Sequence, residues 1–323
     1  MVTRIRAMAA LGCLAAFAAC GGGSGGGESA GMGRLTLRIG DAPVDGATEV
    51  VLVFTGVVLH GAGGTRSIEF PEPREIDLLA YQNGATVDLL EGVEVEAGNY
   101  QWMRLEVIAE ENRNDGSYIL FENGEQYPLY VPSGAQTGLK LNRAFTVAAG
   151  GITRLVADFD LRKSIIQPPG QSPNYMLKPV LRLMDELEVG SITGEVDLAA
   201  LAAAQLGDGA EAGDCAGGVY LFAGTDVLPD DTDGDTADGA DPVVYQPLDF
   251  DGLNAVVPFQ IAFVEAGDYT VAATCSFDVD ASPELSEYDA GAASGEAGFE
   301  TMTWTTDGQV LVEPDATATV NLP

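Results

Sequence analysis

Six aspartates fall within residues 229–242, PDDTDGDTADGADP, with no basic residue among them. That density of hard oxygen donors makes the stretch the chain's best case for metal chemistry. Calcium takes about six to eight oxygen ligands from a flexible chain. Asp231, Asp233 and Asp235 alternate, so their carboxylates converge if the backbone curls, and Gly234 and Gly239 let it curl. Asp238 and Asp241 could complete the shell together with backbone carbonyls. The plainer reading is an acidic loop whose charges face water.

The stretch is only similar to known calcium loops. An EF-hand counted from Asp231 needs Gly at its sixth position and Glu at its twelfth, where this chain has Thr236 and Pro242. The Asp-rich repeats of thrombospondin type place Gly after the third Asp and a fourth Asp three residues beyond it. Here Thr236 takes the glycine's place and Asp238 comes one residue early. Without that glycine a sharp turn costs strain. The balance favours a solvated loop, with calcium as the sharper alternative.

Other reactive groups are sparse. His60 is the single histidine, so zinc sites built from several histidines are excluded. It ends an apolar run before Gly61-Ala62-Gly63-Gly64, an ordinary place for an exposed polar residue, although one Ser-His-Asp site is conceivable. Those glycines lack the Lys-Ser/Thr of a phosphate-cradling loop. A glycosidase needs two carboxylates and 49 are present, so composition does not exclude one. No aromatic-lined acid pair stands out. Trp102 and Trp304 lie on alternating segments and read as core or half-buried. Asp158 and Asp160 flank Phe159 near Arg162 and Lys163, which reads as a solvated, salt-bridged strand end rather than a substrate site. The expectation is a non-enzymatic chain.

Charge narrows the partners. The 323 residues carry 15 Lys plus Arg against 49 Asp plus Glu, a formal charge of −34. Such a surface repels phosphate backbones, so nucleic acid is not a partner. The acidity is uneven: Arg182 is the last basic residue, and 27 acidic residues follow from 187 to 323. At 46% apolar the chain is nonetheless globular.

The opening MVTRIRAMAALGCLAAFAAC has Arg4 and Arg6 before an apolar run, Ala7–Ala19. That run is shorter than the roughly 20 residues a bilayer span needs, and it fits a secretory signal. Phe17-Ala18-Ala19-Cys20 resembles a bacterial lipobox, with Phe17 where Leu is usual. The resemblance implies lipidation at Cys20 and a membrane partner through the lipid. Residues 21–33 follow as a Gly-rich tether of roughly 20 Å r.m.s. reach. Gly21 and Gly22, where retained lipoproteins carry Asp, imply the outer membrane. Cys215 and Cys275 then remain as a thiol pair that an oxidising compartment would join.

The elements that must position these residues are mostly strands. Residues 50–60 are a β-branched run, and 100–109 alternate, with Trp102, Arg104 and Glu106 opposite Met103, Leu105 and Val107. Asn123-Gly124 predicts a type I′ hairpin within 118–131. Helical signal is confined to 196–207, stopped by Gly207, and a short turn in 76–84. Many short strands with turns every eight to twelve residues predict an all-β chain of two β-sandwich domains. The boundaries expected are a signal at 1–19, lipidated cysteine and tether at 20–33, one sandwich at 34–186 and an acidic one at 187–323. Glu-Ala-Gly-(Asn/Asp)-Tyr occurs twice, at 96–100 and 265–269. It reads as a repeated sandwich corner rather than a duplicated ligand site.

GRLTLRIGDAPVDGATEVVLVFTGVVLHG (33–61), followed by IDLLAYQNG (76–84), EAGNYQWMRLEV (96–107), LKLNRAFTV (139–147), DFDLRKSI (158–165) and YMLKPVLRL (175–183), resembles an exported bacterial family known only as domain of unknown function 4382. Gly40 stands where that family has Thr. The resemblance spans 33 to about 186 and implies an exported β-rich domain, with no activity attached. Gly194-Glu195-Val196 and Ala266–Val271 loosely resemble transthyretin-like, carboxypeptidase-regulatory-like sandwiches, which implies a spacer or binding module. The combined expectation is a lipid-anchored cell-envelope lipoprotein acting as a binding or structural module toward a protein or polysaccharide. The alternative is a carbohydrate-binding or carbohydrate-active surface protein that uses Trp102 or Trp304.

Overall fold

The computed structural model describes residues 31–42, 47–113, 115–132, 138–167, 174–178, 180–229, 240, 242–275 and 305–323. The first lobe contains β1 (Met32–Ala42), β2 (Ala47–Gly61), β3 (Gly64–Asp77), β4 (Val87–Glu96), β5 (Gly98–Val107), β6 (Tyr118–Phe121), β7 (Gln126–Tyr130), β8 (Leu139–Leu141) and β9 (Phe145–Val147). It continues through β10 (Ile152–Asp160), the short helix α1 (Leu161–Ser164), β11 (Ile165–Ile166), β12 (Tyr175–Leu177) and β13 (Leu181–Asp185). The second contains β14 (Val189–Asp197), helix α2 (Leu198–Gln205), β15 (Gly218–Ala223), β16 (Val244–Pro247), β17 (Val256–Glu265), β18 (Gly267–Thr274), β19 (Thr305–Val312) and β20 (Thr317–Thr319).

Each lobe is two sheets around its own core. In the first, the sheet β13-β10-β1-β4 faces the sheet built on β11-β12-β7-β6-β2-β5-β8, to which β3 and β9 attach. Alternation decides which side chains enter. Leu35, Leu37 and Ile39 of β1 meet Leu52, Phe54 and Leu59 of β2 and Met103 and Leu105 of β5, all fully buried. In the second lobe β17-β14-β20 faces β16-β15-β18-β19. Ile192 and Val196 there meet Val219, Leu221 and Val271. The chain is all-β with sandwich-like sheets, as its strand pattern implied.

Three local outcomes differ from the sequence reading. The 64–77 segment carries Pro71 and Pro73 and gave no strand signal, yet it forms β3. It pairs β2 through Gly64–Glu69 and again through Arg74–Asp77, and both prolines sit in the stretch between, where no ladder N–H is needed. The second concerns the two Asn-Gly pairs. Asn123 keeps negative φ and only Gly124 (φ 81°) is left-handed. Gly124 N–H bonds Phe121 O at 2.9 Å and Phe121 N–H bonds Glu125 O at 3.0 Å, a type I turn followed by a glycine bulge. The type I′ turn is instead at Asn83-Gly84, with φ of 55° and 81° and Ala85 N–H bonded to Gln82 O at 3.0 Å. One extra loop residue separates the cases: it gives Asn123 an ordinary backbone, while its Oδ1 accepts from Glu125 N–H at 2.9 Å. The third difference is at Asp158, described with the site.

Helix α2 is placed by its caps. Asp197 Oδ1 accepts from the N–H groups of Ala199 and Ala200, both at 3.1 Å, and Gly207 at φ 108° ends the segment. Its Leu198, Leu201 and Ala202 close one end of the second core.

Candidate functional site

The polar residues worth testing for function gather where the lobes meet. The type I′ turn holds Asn83 at the border, and Gln246 of β16 donates from Nε2 to Asn83 Oδ1 at 2.6 Å. β10 ends there with Asp158 and Asp160. Arg182 of β13 donates to Asp158, and the Tyr245 hydroxyl reaches Asp160 Oδ1 at 3.4 Å. At the far side Arg143 donates to Glu265 at 2.8 Å and Glu188 at 3.4 Å. Every cation in these contacts comes from before residue 187, as the charge asymmetry requires, and Arg143 finds its acids beyond it.

Asp158 corrects the sequence reading of a solvated strand end. Its neighbour Phe159 fills the first core, yet Asp158 itself is also buried, under the second lobe. Burial pushes its carboxyl above the usual range; Arg182 opposes that, and Asp160 adds to it. The partner is Arg182, a strand away. Antiparallel register places it there, since Asp158 pairs with Arg182 across β10 and β13.

Two grooves open beside this junction. One, of about 710 Å³, has Lys140, Arg143 and Arg182 above Leu181, Met184 and Val264. The other, of about 590 Å³, lies on the outward face of β17-β14-β20. Gln260, Thr193 and Thr319 stand in register across three strands, and Pro258 and Glu195 form the next row with Asn321. The Asn83–Gln246 amide pair forms its wall.

The residues singled out from the sequence do not converge. His60 stacks on Trp102 with ring centroids 4.9 Å apart, and its Nδ1 lies 2.8 Å from Thr65 Oγ1. Lys140 Nζ sits 4.5 Å from the Trp102 ring centre. His60 lies on β2 and Lys140 on β8, the strands on either side of β5, so the indole is closed in from both flanks. It offers no open sugar platform. Trp304 lies outside the described residues. So do Cys20 and the aspartates Asp231, Asp233, Asp235, Asp238 and Asp241. The ends of that acidic loop are described: Pro229 and Ala240 form a bridge, and Val227 and Ala240 pack on Tyr220 and Phe222. Among the described residues no group of three or more His, Cys, Asp or Glu could hold a metal ion, and no helix is long and apolar enough to cross a membrane.

Cys215 and Cys275 are joined in a disulfide across 60 positions of sequence. Gln205, which the sequence reading passed over, secures the end of that link. Its Oε1 accepts from Cys275 N–H at 2.8 Å and its Nε2 donates to Ala273 O at 3.1 Å. A lone polar residue in the Ala- and Leu-rich run 198–206 was the available signal.

With that architecture established, residues 32–179 match the family described as a domain of unknown function, DUF4382. Over those residues the first lobe is similar to that family. The match runs from β1 to the end of β12, and β13 completes the sheet just beyond it. None of the curated proteins matches. Among solved structures, a leucine-rich repeat protein from Bacteroides thetaiotaomicron VPI-5482 is 10% identical, with a TM-score of 0.22 over 90% of this chain and 26% of that one. The chain thus spans about a quarter of that protein's length. Two proteins whose names propose cell adhesion, from Bacteroides fragilis NCTC 9343 and Bacteroides eggerthii DSM 20697, are 12% and 10% identical. Their TM-scores are 0.18 and 0.21, over 89% and 92% of this chain and 91% and 88% of theirs. Scores that low carry no argument for either lobe.

Proposed function

We propose that the chain is a lipid-anchored, non-enzymatic lipoprotein of the cell envelope, held at the outer membrane through Cys20 and acting by contact as a binding or structural module. The observation that carries this reading is the Cys215–Cys275 disulfide. Such bonds persist in oxidising compartments, which agrees with an export signal and a lipidated cysteine. The junction supports the same reading. Its ionisable groups are engaged with one another, Arg182 with Asp158 inside the first lobe and Arg143 with Glu188 and Glu265 beyond it, in contacts that serve structure. Calcium stabilisation of the acidic loop is a finer part of the proposal, tested separately below. The carbohydrate alternative loses its aromatic platform at Trp102, which His60 and Lys140 flank.

The test is fractionation. The wild-type chain should partition with membranes, incorporate a clickable fatty-acid label and require detergent for release. Cys20→Ser should abolish labelling and release a soluble form. Wild-type protein recovered unlabelled and without detergent would defeat the proposal.

A further inference from the structure

We propose that the outward face of the β17-β14-β20 sheet, where it borders the first lobe, binds a neutral oligosaccharide. This rests on the reading of the chain as a binding module and adds the place and the ligand class.

The groove is the right size. Its roughly 590 Å³ falls within the range of small-ligand sites, about 300–1,000 Å³. Its chemistry is that of hydroxyl recognition. Thr193 and Thr319 supply hydroxyls, Gln260 and Asn321 carboxamides, and Glu195 one carboxylate. Hydroxyls and carboxamides both donate and accept, and a carboxylate can accept from two adjacent hydroxyls. Neighbouring strands lie about 4.8 Å apart, so the two registered rows form a grid on the scale of a pyranose ring. Pro258, exposed beside Glu195, adds an apolar ring for a sugar's C–H face.

Several of these groups are already set. Asn321 Oδ1 accepts from Glu195 N–H at 3.1 Å, which fixes the amide and keeps its Nδ2 as a donor. The 2.6 Å bond from Gln246 to Asn83 fixes both amides, leaving the Gln246 oxygen and the Asn83 nitrogen to a ligand. By contrast the side chains of Glu195, Gln260 and Thr319 have no hydrogen-bond partner among the described residues. Fixed groups at the wall and open groups on the floor lower the ordering cost of binding.

Charge selects the class. No Lys or Arg lines this groove, and Glu195 is its single ionisable side chain. Phosphate, sulfate or uronate would meet a carboxylate without a compensating cation. A divalent cation would find one carboxylate where it wants several hard oxygens. A peptide strand would seek an edge and an apolar pocket; this is a sheet face, and Phe259 beneath it is buried.

The test uses the full chain in a detergent without a sugar headgroup. It is applied to an array of neutral and uronic-acid oligosaccharides, and hits are titrated calorimetrically. Neutral glycans should bind. Gln260→Ala and Thr319→Val should each weaken them roughly three- to tenfold, and Glu195→Ala tenfold or more. All three positions are at the surface, so melting temperatures should hold. Lys140→Ala, in the other groove, should leave neutral binding unchanged. A silent array, or neutral binding indifferent to all three substitutions, would overturn the inference. Binding confined to uronates and lost in Lys140→Ala would also overturn it, moving recognition to the cationic groove. The module reading survives any of these results, because the Cys20→Ser fractionation tests it independently.

Discussion

The Tyr100 hydroxyl donates to the carbonyl of Glu96, four residues back, at 2.8 Å. The same bond recurs from Tyr269 to Glu265 at 2.9 Å. In both places a single alanine separates a strand of one sheet from a strand of the facing sheet: β4 from β5, and β17 from β18. The repeated Glu-Ala-Gly-x-Tyr is therefore the corner that carries the chain across each sandwich, and the tyrosine ties the corner's two arms together. Burial raises the pKa of both phenols. Tyr100→Phe and Tyr269→Phe should each destabilise by about 1 kcal/mol, the net worth of one hydrogen bond. Urea midpoints should fall at constant m. An unchanged midpoint in both variants would reduce the corner to coincidence.

Asp158 and Arg182 predict an asymmetric mutant cycle. Removing Arg182 leaves a buried carboxylate without its counter-charge, which costs about 3 kcal/mol in buried pairs. Arg182 is 40% exposed, so Arg182→Leu should fall at or below that figure at neutral pH. Asp158→Asn should cost less, and the double variant should recover part of the loss. The sign with pH follows from the raised carboxyl pKa. The folded state holds the Asp158 proton more tightly than the unfolded chain does. Stability from this group is therefore full below the ordinary carboxylate pKa and declines as pH rises through the folded value. The Arg182→Leu penalty should shrink in acid; a penalty that grew in acid would contradict the burial argument.

The sequence made the sheets legible because alternation and β-branched runs act locally. Val50, Leu52 and Phe54 reach the core by period alone, whereas Val57 and Leu59 do so only because the strand shifts register between Phe54 and Gly56. The echoed corner was legible for the same reason: its five residues make their own bonds. What escaped depended on neighbours distant in sequence. Asp158 reads as exposed beside Arg162 and Lys163 until β13 brings Arg182 across and the second lobe covers it. The β17-β14-β20 face is assembled from residues up to 128 positions apart, Thr193 to Asn321, and each of them alone is an ordinary surface side chain. Trp102 read as half-buried, but nothing in 100–109 announces His60 and Lys140.

Tyr118 predicts alkaline instability. Its hydroxyl donates to Glu49 Oε2 at 2.8 Å. Burial, then that bond and the Glu49 charge, push its pKa up from 10.0 to about 12. The folded state favours the neutral phenol, so this contribution is intact below about pH 10 and disappears as pH climbs toward 12. Thermal unfolding should therefore fall more steeply above pH 10 in wild type than in Tyr118→Phe. Parallel curves would show that Glu49 does not hold the phenol's proton.

Metal removal tests the acidic loop. Its ends are pinned by the Pro229–Ala240 bridge, so a cation gathering the intervening carboxylates would be felt in the second lobe. If calcium is held, EDTA should lower the melting temperature, millimolar calcium should restore it, and Asp233→Asn with Asp235→Asn should erase the response. No shift between EDTA and calcium would leave the loop solvated.

The disulfide should separate the stability of the two lobes. It links Cys215, just before β15, to Cys275, just after β18, and these two strands pair from Gly218↔Thr274 to Ala223↔Tyr269. The bond thus clamps the open end of a ladder that already exists. Its value lies largely in the unfolded chain, where closing a loop of this length is worth about 4 kcal/mol. Cys215→Ser with Cys275→Ser should lower the second lobe's transition by that order and leave the first lobe's transition near its original temperature. The lobes touch through Arg143, Tyr245 and Gln246 and where the second lobe covers Asp158, and the Arg143 pairs are exposed, worth about 1 kcal/mol or less each. Two calorimetric transitions that fell together would mean that the junction couples the lobes far more strongly than those contacts account for.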